Sequence, residues 1–200
     1  MTAELNDLKQ EMRSAQVTAW ILANKQMLGA VAAVLVIALL ASSLWIERNK
    51  AQRESAAVLY HQGLAMPDLT KRKALLENIV RDYPRTGYAP MALFQLVSLD
   101  EAKAQDYLQQ LLDSDAPPEL KWQARLDLAG RLIVTGHPNQ ATPLLNEKVG
   151  KEYEQLRFYL LAQAAGDDAA KRQALQQALD APSHDETLKT TIESELAASR

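Results

Sequence analysis

The sequence predicts an all-α protein, with a single N-terminal transmembrane helix followed by an irregular solenoid of about four helix hairpins and a capping helix. Three observations predict it. A run of twenty residues, Met27–Ile46, carries no charge. After it, apolar residues recur at helical spacing between proline and glycine breaks. These helices also pair with a period of 30 to 36 residues.

The uncharged run has the length of a membrane span. A helix of twenty residues covers roughly 30 Å, which matches the hydrocarbon core of a bilayer. Trp20 lies just before the run and Trp45 lies at its end, where aromatic rings favour the membrane–water interface. Lys25 and Arg48 border the run on its two sides. We therefore predict Trp20, Lys25, Trp45 and Arg48 as membrane-interface residues.

A cleaved signal peptide explains this run less well than an uncleaved anchor. A signal peptide has a short basic leader and an apolar stretch of about 7–15 residues, whereas 26 residues with three acidic side chains precede this run. The chain has no cysteine, which excludes a thiol-linked lipid anchor, disulfides and cysteine-based zinc sites.

Residues 1–26 are predicted to form an amphipathic tail helix. Their apolar stripe has spacings of 3, 4, 3, 4 and 3: Leu5, Leu8, Met12, Ala15, Ala19 and Leu22. A helix lying on the membrane surface and a helix that docks on a partner's helix both agree with this weak stripe, and disorder is a third alternative.

Charge leaves the topology of the span open. Three basic residues lie on each side of it: Lys9, Arg13 and Lys25 before, and Arg48, Lys50 and Arg53 after. The positive-inside rule therefore gives a tie.

The whole chain has a net charge of −3, which argues against a nucleic-acid partner. Its only basic cluster, Lys71-Arg72-Lys73, is interpreted as a solvated helix start.

Breaks and apolar spacing predict nine helices after the run and no strand. No breaker separates the run from the first of them, so one long helix is expected there. The predicted ranges are 47–66, 68–82, 87–99, 101–113, 117–135, 138–148, 152–165, 168–180 and a last helix after residue 183. Leu69 and Leu156 are expected to be buried, and Leu188, Ile192 and Leu196 to form one stripe. Asp115 is a candidate cap for the helix after it, and Ser183 with Glu186 for the last helix.

The helices pair in a repeat. The leading helices begin near residues 51, 87, 117, 151 and 183, at intervals of 36, 30, 34 and 32 residues. This period is typical of tetratricopeptide-type hairpins. We therefore predict a TPR-like helical repeat domain over residues 47–200, after a transmembrane helix at 27–46.

Three segments carry a likeness to a known family: ALLENIVRDYPRTGYAPMALFQLV (74–97), LKWQARLDLAGRLIVTGHPNQATPLL (120–145) and LRFYLLAQAAGDDAAKRQALQQAL (156–179). With the order of tail, anchor and weak repeats, the chain resembles the YfgM-like family of membrane-anchored tetratricopeptide-repeat proteins. The resemblance implies an ancillary subunit of the SecYEG translocon in the bacterial inner membrane, with a cytoplasmic N-terminus and a periplasmic repeat domain. It also implies contact with a membrane-anchored periplasmic chaperone or with exported clients.

No catalytic constellation is recognisable, and no cofactor or metal is expected. His61, His137 and His184 are far apart in sequence and are interpreted as surface or turn residues. The pairs Asp167-Asp168 and Asp185-Glu186 lie at helix starts, where carboxylates favour the helix dipole.

With no catalytic site recognisable, we expect the chain to bind other proteins. The first helices of stacked hairpins would line a concave surface for this binding. Candidate contact aromatics, for which packing between hairpins is the alternative, are Tyr60, Tyr88, Phe94, Trp122, Phe158 and Tyr159.

Two functions therefore remain open. The chain is either a non-catalytic adaptor or chaperone-associated factor near the translocon, or a permanent structural subunit of a larger membrane complex. Its partners are the lipid bilayer and other proteins.

Overall fold

We describe the fold from a computed structural model of the chain, which covers residue 20, residues 22–182 and residues 185–198. The side chains of residues 28–30, 32 and 33 lie outside this description. Nine α-helices and two short 3-10 segments lie wholly within the covered ranges, where no strand is found. The predicted all-α class is confirmed. Most of the predicted tail helix, from residue 1 to residue 19, lies outside the described residues.

The helices follow the predicted order with small shifts at their ends. They are α1 (Lys25–Ala65), α2 (Leu69–Asp82), α3 (Tyr88–Leu99), α4 (Ala104–Asp113), α5 (Pro118–Val134), α6 (Pro138–Asn146), α7 (Glu154–Ala164), α8 (Asp168–Asp180) and α9 (Glu186–Ala198). The 3-10 segments Glu101–Lys103 and Lys151–Tyr153 precede α4 and α7.

The chain divides into two compact units, Met1–Ala51 and Gln52–Arg200. Helix α1 runs from Lys25 to Ala65 without a break, as the absence of a breaker predicted. Within the first unit the large apolar side chains that the structure describes on α1 are exposed, Val34, Leu39 and Leu44 among them. In the part of the chain that the structure describes, no helix has the length and apolar character needed to cross a membrane.

The second unit is built from helix hairpins. In the first hairpin, residues 52–65 of α1 pack on α2, where a Cβ atom placed on Gly63 would lie 3.5 Å from Leu76. The next three hairpins are α3–α4, α5–α6 and α7–α8, and α9 packs on α8. Helix α5 also contacts α7, so the first helices of the third and fourth hairpins lie side by side. This is the predicted arrangement of four hairpins and a capping helix.

Apolar side chains fill two clusters in this unit. The larger one extends from Ala56 to Leu145 and includes fully buried residues of α2, α3 and α4, such as Leu76, Leu96 and Leu108. The smaller one holds α9 through Ile192. Leu188 and Leu196 pack against it, so the stripe predicted for the last helix is confirmed.

Aspartate side chains cap the N-termini of several helices. Asp68 Oδ1 accepts hydrogen bonds from the backbone N–H groups of residues 70 and 71, and Asp167 Oδ1 accepts one from residue 170. The predicted cap at Asp115 is wrong, because α5 begins after Pro117 with no side-chain cap and a proline in its first turn. Ser183 lies outside the described residues, and Asp185 Oδ1 accepts the N–H of residue 188.

One further expectation for α2 is wrong, and a second holds only in part. Leu69 is 62% exposed rather than buried, since it is the first residue of the helix, beside the loop. The basic cluster is only partly solvated. Arg72 donates to the Met66 carbonyl at 2.7 Å, and Lys73 Nζ lies 2.5 Å from Asp100 Oδ2. The flexible stems of these two side chains let them reach acceptors beyond their own helix.

Glycines shape two connections. Gly136 ends α5 with a φ of +81°, a left-handed conformation that favours glycine. The N–H of His137 then bonds to the Leu132 carbonyl at 2.7 Å. Before α7, Gly150 lies against Trp122, and a Cβ atom there would be only 2.6 Å from Trp122 Cζ3.

Candidate protein-interaction groove

A groove of about 970 Å³ lies between α3, α5 and α7 in the described part of the second unit. Residues 101 and 102 of the first 3-10 segment and residues 105 and 106 of α4 line one side of it. We call it the α3/α5/α7 groove. Its apolar lining comes from Phe94, Leu126, Val134, Tyr153, Leu156 and Leu160.

Helices α5 and α7, the first helices of two successive hairpins, supply much of the lining, as the concave-surface interpretation predicted; α3 contributes Phe94. Helix α5 contributes one stripe at helical spacing: Gln123, Leu126, Asp127, Gly130, Arg131 and Val134. The stripe spans eleven residue steps, or about 16 Å of helix. Gly130 contributes no side chain at its centre.

Some apolar residues of the groove are in contact with solvent. Val134 is 87% exposed and Leu156 is 37% exposed, whereas Leu126 is buried and forms part of the floor. Leu156 was expected to be buried with the rest of its helix; it faces the groove instead. Exposed apolar side chains gathered around a concavity are typical of interaction sites.

The polar rim carries three carboxylates and one guanidinium. Arg131 Nε donates to Asp127 Oδ1 at 3.1 Å, and its Nη1 forms an ion pair with Glu101. Asp106, in the first turn of α4, has no hydrogen-bond or ion-pair partner among the described residues. With Arg131 counted against the three acids, the rim has a net charge of −2.

Only one of the predicted contact aromatics lines this groove. Phe94 is half-buried in its wall. The others take part in packing, as the alternative interpretation had it. Tyr60 and Tyr88 have ring centroids 5.6 Å apart, the Trp122 ring lies 6.2 Å from that of Tyr153, and the Arg157 guanidinium covers Phe158 at 4.1 Å.

The sequence interpretation missed Tyr153 and Val134. Val134 occupies the i+4 position after Gly130 on the α5 stripe, a signal that the sequence contained. Tyr153 lies in the 3-10 segment before α7, where helical periodicity gives no signal.

The sixth aromatic belongs to a network that holds the C-terminal helix. Tyr159 Oη donates to Glu195 Oε1 at 3.0 Å, Gln163 donates to the same carboxylate, and Lys171 Nζ lies 3.3 Å from it. Burial, followed by the hydrogen bond to Glu195, raises the pKa of Tyr159. Burial acts to raise the pKa of Glu195 as well, but its three hydrogen-bond donors outweigh burial and hold that pKa below its usual value.

A second network joins α2 to α4. Tyr107 Oη donates to Glu77 Oε1 at 3.0 Å. Burial, followed by this hydrogen bond, raises the pKa of Tyr107 to about 12. The hydrogen bond from Lys73 holds the pKa of Asp100 below its usual value.

The predicted membrane-interface residues are all exposed. Trp20 precedes α1, Lys25 is its first residue, and Trp45 and Arg48 lie further along it. Lys25 and Trp45 are separated by about 30 Å along a helix. Their role at a membrane stays a prediction.

The described residues contain no group of three or more histidine, cysteine, aspartate or glutamate side chains able to hold a metal ion. His61 and His137 are exposed, as predicted, and His184 lies outside the described residues.

Comparison with known proteins agrees with the helical hairpins. The family model for the tetratricopeptide repeat-like domain matches residues 18–198, which is most of the chain. No curated protein and no solved structure matches this chain. The chain therefore belongs to the family of tetratricopeptide repeat-like domains.

Proposed function

We propose that this chain is a non-catalytic, membrane-anchored interaction protein that binds other proteins in the α3/α5/α7 groove. The observation that carries the proposal is the exposure of Val134 and Leu156 in a concavity between helices of three successive hairpins. Tetratricopeptide-like domains are typically interaction modules, and stacked hairpins bind extended or helical segments on this side.

We propose further that the interaction takes place in the periplasm, near the protein-export translocon. The chain would be a single-pass protein of the bacterial inner membrane and would act as an adaptor or a chaperone-associated factor. This part of the proposal is supported by the uncharged run Met27–Ile46 and by the likeness to the YfgM-like family. The exposed apolar side chains of α1 at residues 34–46 agree with a lipid-facing surface.

The same exposed surface also agrees with a second function. Apolar side chains around a helix could be covered by helices of other membrane proteins, which would make the chain a permanent structural subunit. The two functions differ in stoichiometry. If the chain is an adaptor, each partner is recovered at less than one copy per copy of the chain. If it is a subunit, the chain is recovered at a fixed ratio with one assembly.

Purification in mild detergent followed by quantitative mass spectrometry tests the binding function. Leu156→Glu places a charge in the groove, and Leu64→Glu is the matched control because Leu64 is 41% exposed and does not line the groove. We expect Leu156→Glu to lose co-purifying proteins and Leu64→Glu to retain them. Equal recovery from both variants and the unchanged chain would refute binding in this groove.

Topology is tested separately. A reporter that is active only in the periplasm, fused after Arg200, should be active if the repeat domain is exported. Activity of a cytoplasmic reporter at the same position would refute both the periplasmic location and the role at the translocon.

A further inference from the structure

We infer, on the basis of the binding role proposed above, that the occupant of the α3/α5/α7 groove is a cationic amphipathic segment of another protein. Its apolar side chains would lie on the groove floor, and a lysine or arginine would reach the carboxylate of Asp106.

The charges of the rim favour an occupant with a positive charge. The guanidinium of Arg131 is already paired with Asp127 and Glu101, so its positive charge is compensated within the rim. Asp106 has no partner among the described residues, although it borders an apolar surface. An incoming cation would gain an ion pair there, whereas an incoming anion would meet a rim with a net charge of −2.

The floor selects an apolar face. Leu126 and Leu160 lie in the groove beside the exposed side chains of Val134 and Leu156. The α5 stripe is about 16 Å long, which corresponds to three turns of helix or about five residues of extended chain. A segment of this length with apolar side chains along one face would remove the exposed leucine and valine from water.

Three labelled twelve-residue peptides test the inference. They share one amphipathic leucine–alanine pattern and carry lysine, glutamine or glutamate at the same two positions on the face edge. Fluorescence anisotropy measures their binding to the full chain in phosphatidylcholine nanodiscs, with empty nanodiscs as the blank. We expect the lysine peptide to bind about two- to fivefold more tightly than the glutamine peptide, and the glutamate peptide to bind most weakly. This preference should decrease as the salt concentration rises.

Two aspartate variants locate the charge effect. Asp106→Asn should weaken binding of the lysine peptide by about two- to fivefold and leave the glutamine peptide unchanged. Asp168→Asn is the matched control, because Asp168 is an exposed aspartate in the first turn of α8 and does not line the groove. Equal losses in both variants would show only a general attraction to an acidic protein and would overturn the inference.

The remaining outcomes separate this inference from the binding function itself. Equal affinity for the three peptides, with loss in Leu156→Glu, would overturn the charge preference and leave the groove as a binding site. Binding that is absent, or unaffected by Leu156→Glu, would refute the groove as a site. A dimer detected by light scattering and dissolved by Leu156→Glu would identify a second copy as the occupant and would also overturn the inference.

Discussion

Ile192 is the one fully buried side chain of the capping helix α9, so the docking of this helix is sensitive to its truncation. Ile192 is 0% exposed and lies in the small cluster with Ala162, Leu175 and Ala178. Ile192→Ala removes three carbon atoms, each worth about 0.8 kcal/mol of burial. The cavity left behind adds to this loss, so we expect docking of α9 to weaken by about 3 kcal/mol.

Hydrogen exchange measured by mass spectrometry is the assay, because it reports the opening of each helix separately. A loss of about 3 kcal/mol corresponds to exchange more than about a hundredfold faster in α9. The amides of α3 and α4 should keep their protection, since they belong to the larger cluster. Glu193→Ala is the control: Glu193 is exposed on the same helix, so its truncation removes no buried contact.

Two results would contradict this reasoning. Unchanged exchange in α9 would show that Ile192 does not hold the helix. Equal loss of protection in α3, α4 and α9 would show that the cap and the larger cluster unfold as one cooperative unit.

Three further outcomes follow from residues described above. The pKa of Glu195 is lowered in the folded chain, so its contribution to stability is present above the unfolded pKa and is lost as the pH falls through the lower folded value. Thermal melts should show this acid destabilisation near and below pH 4.5, and Glu195→Gln should reduce it. The pKa of Tyr107 is raised to about 12, so the folded chain should lose stability as the pH rises from about 10 to 12. Tyr107→Phe should remove that loss, while costing about 1 kcal/mol at neutral pH through the hydrogen bond to Glu77, as denaturant titration would show. Gly136→Ala should destabilise the fold by roughly 1–2 kcal/mol because of its positive φ, whereas Gly87→Ala should not, since Gly87 has a right-handed helical conformation and open space at its Cβ position; equal melting temperatures for the two variants would contradict this.

The helices could be predicted because their signals are local. Proline and glycine breaks lie between the apolar stripes, and stripes such as Leu188, Ile192 and Leu196 need only helical spacing to be recognised. The hairpin period added the order in which these helices pair. The end of α5 at Gly136 could also be predicted from a local signal, since a left-handed residue after a helix is most often glycine.

The groove could not be predicted residue by residue, because it depends on which parts of the apolar faces stay uncovered. Leu156 and Leu160 are equivalent in the periodicity of α7, yet Leu156 is 37% exposed and Leu160 is half-buried. That difference arises from helices distant in sequence. Lys71 and Lys73 also differ in a way that the sequence does not show. Only Lys73 reaches Asp100, which lies 27 residues further along the chain.

Gly150 influences the groove indirectly, because it lies against Trp122. Any side chain at position 150 would have to displace the indole ring, which is in contact with the ring of Tyr153 on the groove's wall. The width of the binding surface could therefore be tuned through a residue that no ligand touches. In a collection of variants selected for altered partner preference, substitutions at position 150 would act by moving the wall and not by changing its chemistry.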